Sequence, residues 1–295
     1  MTTIHYRTAD IDGQSVFYRE AGSVDRPDLL LLHGFPSSSF MFRNLIPRLA
    51  DDYHVVAPDL LGFGFSSAPS IHDFDYTFPA LARIVRGLLR HTGITRHAMY
   101  VHDIGAPVGW QLALSNPQSI TAIVSQSGNA YVEGFVNSDW ADPHAYDKGV
   151  DSESDTYDVD FDAIRQQYLA GVADPSVVDP DTWWRDYTLM SRPGNDLIQL
   201  RLLRVYGDNI RLYPAVQQYF RESQVPLLAV WGKDGPIFGP EGAHAFTRDL
   251  PGAQVELLPG GHFLLESAVD EVATITRDFL KRVIHQNSPT NHTTR

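Results

Sequence analysis

The sequence predicts an α/β fold: an open, mostly parallel sheet with helices on both faces, interrupted late in the chain by a helical insertion. Three observations predict it. Short apolar runs alternate with stretches of helical period between residues 29 and 127. Several of these runs pass directly into glycine or polar residues, as strands do at the carboxyl edge of such a sheet. The alternation stops after Asn129 and resumes at Pro226, with about 90 residues of different character between.

The elements follow in order. Residues 4–8 and 15–20 alternate around Asp12-Gly13 and read as a hairpin. Leu29–Leu32 is a continuous aliphatic run, the mark of a strand buried on both faces. A helix is expected at about Phe40–Ala50, a strand at His54–Pro58, a helix at Phe78–His91 and a strand at Ala98–Val101. A helix over Ile104–Ser115 and a strand over Ala122–Ser127 complete the first block. Asp139–Asp162 carries nine acidic residues and one basic one, Lys148, and reads as a solvated face or a mobile entry. Helical periodicity with prolines continues to Phe220. Strands return at Pro226–Trp231 and Gln254–Leu258, and an amphipathic helix covers about Ser267–His285. The expected organisation is therefore a core of residues 1–129 and 223–285, a helical unit of residues 130–222, and a polar tail, Gln286–Arg295.

Composition narrows the function. Of 295 residues 43% are hydrophobic, enough for a full core, and the net charge of −13 disfavours nucleic acid and anionic membrane as partners. There is no cysteine, so disulfides, thiolate nucleophiles and cysteine-held metals are excluded. No apolar run approaches the roughly 20 residues of a membrane span, and Met1–Arg7 shows no leader-type apolar core. A cytoplasmic protein is the expectation.

Several motifs fail. Gly62-Phe-Gly64-Phe-Ser-Ser has Ser67 where a dinucleotide loop needs its third glycine, and reads as a turn leaving a strand. Asp158-Val-Asp160-Phe-Asp162 starts like a calcium loop, but Ala163 and Leu169 occupy the positions that need Gly and Glu. Zinc-protease, P-loop and G-x-S-x-G patterns are absent.

What remains is a set of strand ends. Val101-His102-Asp103-Ile104-Gly105-Ala106 reads as a sharp strand-to-helix turn with Asp103 at its apex and Gly105 where strand and helix approach; Val101 is bulkier than is usual there. An acid at that apex lies at a helix N-terminus, which favours its ionised form, and it can attack carbon without a base. The plain alternative is an Asp that caps the helix. Gly232-Lys233-Asp234 and Gly260-Gly261-His262 end the next two strands, and a histidine backed by a carboxylate acts as a general base. His33-Gly34-Phe35-Pro36 follows Leu29–Leu32, and its N–H groups can pair with that of Ile104 as an oxyanion hole.

These residues resemble the α/β-hydrolase superfamily in its aspartate-nucleophile branch, the epoxide hydrolases and haloalkane dehalogenases. The resemblance covers residues 12–282 and rests on His33-Gly-Phe-Pro36, Pro58–Ser66, the His102-Asp103 turn and Gly261-His262. It implies a helical cap, no cofactor, and a small hydrophobic substrate with water as co-substrate. It implies Asp103 as nucleophile, His262 as base, Asp234 as its orienting acid, and Phe35 and Ile104 as oxyanion donors. His33, Pro36, Tyr213 and Trp184 are expected at the substrate site.

The leaving group separates the two activities. An epoxide oxygen needs a proton, and a tyrosine supplies one at neutral pH. Epoxide hydrolases use two cap tyrosines; Tyr206, 19 residues before Val225, resembles one of them, with Tyr213 as the nearby alternative. The second is left open among Tyr146, Tyr157, Tyr168 and Tyr187. Dehalogenases typically place Trp after the nucleophile and often Asn in the His-Gly-x-Pro turn. Ile104 and Phe35 stand there, so only Trp140, Trp183 or Trp184 could substitute. The balance favours an epoxide hydrolase. The alternatives are a dehalogenase, an ester or lactone hydrolase, and a non-catalytic ligand-binding scaffold. Oligomeric state is not legible.

Overall fold

The computed structural model describes residues 2–146 and 160–286. Tyr157, most of the acidic 139–162 stretch and the tail beyond Gln286 lie outside the described residues. Eight strands form one sheet: β1 His5–Ile11, β2 Gln14–Ala21, β3 Asp28–Leu32, β4 His54–Pro58, β5 His97–His102, β6 Ile120–Gln126, β7 Leu227–Gly232 and β8 Gln254–Leu258. Their spatial order is β1-β2-β4-β3-β5-β6-β7-β8. β2 pairs antiparallel with both β1 and β4, and all other pairings are parallel.

The aliphatic runs explain the centre of the sheet. Leu29, Leu30, Leu31 and Leu32 are fully buried, as are Val55, Val56 and Ala57 of β4 and Ala98–Val101 of β5. Each buried leucine contributes about 2 kcal/mol over an exposed one. The helices are α1 Ile46–Leu49, α2 Phe78–His91, α3 Gly105–Ser115, α4 Phe161–Leu169, α5 Asp181–Met190, α6 Asn195–Arg204, α7 Tyr206–Ser223, α8 Pro240–Asp249, α9 Leu264–Ser267 and α10 Val269–Gln286. α2 packs on α3, and α3 on β5; α10 packs on β6, β7 and α1. The α10 stripe Val272, Ala273, Thr276, Phe279, Leu280 and Val283 is buried at helical spacing. No helix among the described residues is long and apolar enough to cross a membrane.

The fold differs from expectation at two places. The stretch Phe40–Ala50 is not one helix: Ser39–Phe42 is a 3-10 turn and α1 follows as a single turn. Ser38 caps the first turn, and Pro47 at the start of α1 removes the N–H that would continue one helix into the next. The C-terminal helix begins at Val269, with the short α9 preceding it. Among the described residues between β6 and β7 the regular structure is helical. Gly62 and Gly64 sit in a turn at φ +85° and +52°, closed by Asp59, whose carboxylate accepts from Ser39 N–H and Phe65 N–H.

Candidate active site

The site is assembled on the carboxyl edge of the sheet, where β3, β5 and β8 end. Asp103 stands between β5 and α3 with φ +48°, a left-handed conformation that a residue with a side chain adopts at a cost. Two glycines make the bend possible. A Cβ on Gly105 would lie 2.3 Å from the Leu32 carbonyl oxygen, and one on Gly34 would lie 2.3 Å from Asp103 Cβ. The bulky Val101 is accommodated by two further glycines: Cβ atoms on Gly109 and Gly128 would approach its methyl groups to 2.7 and 2.9 Å.

This bend presents the carboxylate to two backbone donors. Asp103 Oδ1 accepts from Phe35 N–H at 2.8 Å, and the carboxylate also accepts from Ile104 N–H. Oδ2 faces His262, whose Nε2 is 3.6 Å away. That separation exceeds a hydrogen bond, and polar pairs in unliganded active sites are often this loose before a substrate binds. Burial raises the Asp103 pKa, opposed in part by the neighbouring His102 and the two N–H donors. The helix-start environment was expected to favour the ionised form; burial outweighs it here. His262 is 1% exposed, and burial pushes its pKa down to about 3.

These shifts set an expected pH profile. With Asp103 as the nucleophile that the sequence predicts, the carboxylate must be ionised, so ester formation is expected to fall as pH drops through the raised Asp103 pKa, which lies above the ordinary 3.8. His262 is already neutral throughout that range. A pH profile of single-turnover ester formation is therefore expected to show one acid limb above pH 3.8 that the His262→Ala variant retains.

A cavity of about 590 Å³ opens over Asp103. Phe35 and Ile104 line it from the sheet side, with Ile237 and Phe238 from the loop after β7. Tyr206 from α7 and Tyr146 line it from the segment between β6 and β7, their rings 5.8 Å apart. Burial, then the neighbouring Tyr213 and the Asp103 charge, hold the Tyr206 phenol well above its ordinary pKa. Burial raises that of Tyr146 as well, and its hydroxyl donates to the Trp140 carbonyl at 3.1 Å. Both phenols are protonated at neutral pH. Among the described residues no cluster of three or more His, Asp or Glu side chains is set for a metal ion.

Residues 27–269 match the sequence pattern of the family described as the alpha/beta hydrolase fold. The chain belongs to the α/β-hydrolase family. This hydrolase is 43% identical over 268 residues to the uncharacterised hydrolase YNR064C of Saccharomyces cerevisiae, a match covering 89% of this chain and 92% of that one. It is 27% identical over 296 residues to a haloalkane dehalogenase of Bradyrhizobium diazoefficiens, covering 91% and 92%. A shorter match, 37% over 122 residues, relates it to epoxide hydrolase A of Mycobacterium tuberculosis, covering 41% and 38%.

The hydrolase brings together Asp103, His262, Phe35, Ile104 and Tyr206. It does not bring Asp234 to His262. The N–H groups of Lys233 and Asp234 are tied to the carbonyls of Leu258 and Gly260, and the Asp234 side chain is exposed. Among the described residues neither ring nitrogen of His262 has a hydrogen-bond partner.

Nor do the four expected substrate contacts line the cavity. His33 is fully buried; its Nε2 accepts from Leu60 N–H and its Nδ1 meets the Gly34 carbonyl, so it braces the turn. Pro36 is buried beside it. Tyr213 lies behind Tyr206, its hydroxyl accepting from the amides of Asn129 and Asn209 at 3.4 and 3.5 Å. Trp184 is 55% exposed on α5 and packs on Phe161. Of the other tyrosines, Tyr168 bonds Asp186 and stacks on Phe263, and Tyr187 packs on Phe161. Trp140 lines the cavity; Trp183 does not.

Sequence reasoning missed Gln126 and the role of His102. Their donors meet the His262 backbone carbonyl, each at 3.2 Å. The signal was present: Gln126 is a polar residue ending an apolar strand at the same sheet edge as Asp103.

Proposed function

We propose that this α/β-hydrolase opens epoxides to vicinal diols through an ester on Asp103, with the 130–222 segment acting as the cap. The observation that carries the reading is that two phenols, Tyr206 and Tyr146, share one cavity with the carboxylate. Asp103 Oδ2 attacks a ring carbon; the C–O bond breaks and the ring oxygen takes the Tyr206 proton. His262 then removes a proton from water, which attacks the ester carbonyl. Charge develops on the oxygen held by Phe35 N–H and Ile104 N–H. The tetrahedral species collapses: its bond to the alkyl oxygen Oδ2 breaks. That oxygen takes the second proton of the attacking water and leaves in the diol. Asp103 is restored as a carboxylate, and the proton held by His262 returns to the Tyr206 phenolate.

The cavity's apolar and aromatic lining favours a hydrophobic substrate. The same nucleophile would serve a dehalogenase, and the haloalkane dehalogenase relative favours that second reading. A halide needs buried N–H donors, however. Trp140 is the one indole among the described lining residues, and it is 41% exposed.

A panel of epoxides and haloalkanes tests the choice: diol release is expected, and halide release without diol would replace the reading. Tyr206→Phe is expected to slow ester formation from an epoxide by about 10²-fold. It leaves hydrolysis of the ester unchanged, as rapid-quench measurement of the two steps will show. An unchanged first step would remove Tyr206 as the proton donor.

A further inference from the structure

We infer that Gln126 is a positioning residue for the base: with His102 it holds His262 by the backbone carbonyl, where no described carboxylate meets the Nδ1 side of the imidazole. The catalytic half of this inference rests on the ester mechanism proposed above; the structural half does not.

The sheet register places the parts. His102 and Gln126 are paired across β5 and β6, and Tyr100 stands two residues before His102 on the same face. The Tyr100 hydroxyl donates to Gln126 Oε1. That bond fixes the amide, so Nε2 turns outward and donates to the His262 carbonyl at 3.2 Å. His102 Nε2 meets the same oxygen at 3.2 Å, which requires its proton on Nε2. Both lone pairs of that carbonyl are then used. Tyr100, His102 and Gln126 are fully buried and His262 is 1% exposed, so water does not compete for these bonds.

The loop needs such a restraint. His262 follows Pro259-Gly260-Gly261, and Gly260 adopts φ +140°. Glycine gives a chain more freedom than any other residue, so this run does not by itself hold an imidazole over Asp103. A carboxylate on Nδ1 would do so, but among the described residues Nδ1 has no partner, and Asp234 is exposed. The ring is otherwise held only by packing, with His102 at 4.5 Å and Phe263 edge-on at 5.2 Å.

The test separates the two half-reactions. Gln126→Met keeps the volume and removes the donor; Tyr100→Phe keeps the amide and frees it to rotate. Rapid-quench mass analysis with styrene oxide measures ester formation on Asp103 and its hydrolysis. In Gln126→Met, ester formation should stay within about threefold of the parent while hydrolysis slows about 10–10²-fold, the cost of a base displaced by about 1 Å. Tyr100→Phe should fall between. Equal losses in both steps, or none in either, would overturn the positioning role. Hydrogen exchange needs no substrate: amides of residues 258–264 should exchange faster in both variants while β5 stays protected. Unchanged exchange there would overturn the clamp. A parent protein that forms no ester on Asp103 with styrene oxide counts against the epoxide reading, and the exchange result still decides the clamp. Should Gln126→Met fail to fold, Tyr100→Phe carries both measurements.

Discussion

His262→Ala is expected to arrest the protein as a covalent ester on Asp103. In the proposed mechanism, attack on the epoxide uses the carboxylate and a phenol, and neither depends on the imidazole. Hydrolysis of the ester does, because water must lose a proton as it attacks. Removing a general base of this kind costs up to about 10⁴-fold. Incubated with an epoxide, the variant should gain the substrate's mass, and the added mass should lie on the peptide that contains Asp103. The parent should show little of this species at steady state. The variant should remain folded: among the described residues the ring makes no side-chain hydrogen bond that truncation would orphan. Its removal therefore costs chiefly the packing of one buried ring, about 1–3 kcal/mol. Normal turnover by the variant, or an adduct on another residue, would refute the mechanism.

Asp103→Asn is expected to abolish turnover and to stabilise the fold. Loss of a nucleophile lowers rates on the order of 10⁶-fold in enzymes that work through a covalent intermediate. The stability change has the opposite sign. Burial raises the Asp103 pKa, so the folded state resists the charge that the unfolded chain carries freely. The penalty is full above the raised pKa, shrinks as pH falls through it, and vanishes below the ordinary value of 3.8. Asparagine has no charge, and its Oδ1 can still accept from Phe35 N–H. A gain in stability is expected near neutral pH, declining in acid. Denaturant melts at pH 7 and pH 4 measure it; equal midpoints for both proteins at pH 7 would contradict the argument.

The sheet was legible because its strands are buried on both faces, so Leu29–Leu32, His54–Pro58 and Leu227–Trp231 read as continuous apolar runs. The bend at Asp103 was legible because Gly105 has a steric reason to be glycine. The proximity of the Phe35 and Ile104 N–H groups to the Asp103 carboxylate followed from the same edge of the sheet. Asp234 was not placed correctly, because side-chain direction in a loop depends on contacts that sequence spacing does not encode. Here the backbone ties of Lys233 and Asp234 to Leu258 and Gly260 decide it. Tyr213 and Trp184 share that fault: each lies on a helix, and a one-residue change of helical face separates a cavity wall from a packed or wet surface. Tyr146 could not be chosen over Tyr168 or Tyr187 without knowing which helix faces the carboxylate.

The two oxygens of Asp103 are not equivalent. One is anchored by Phe35 N–H and the other is turned toward His262. In the proposed cycle the second leaves with each diol and is replaced from solvent, while the first stays where it is. The side chain thus works as a ferry that delivers the previous cycle's solvent oxygen to the next product, and the tethered atom alone is as old as the polypeptide.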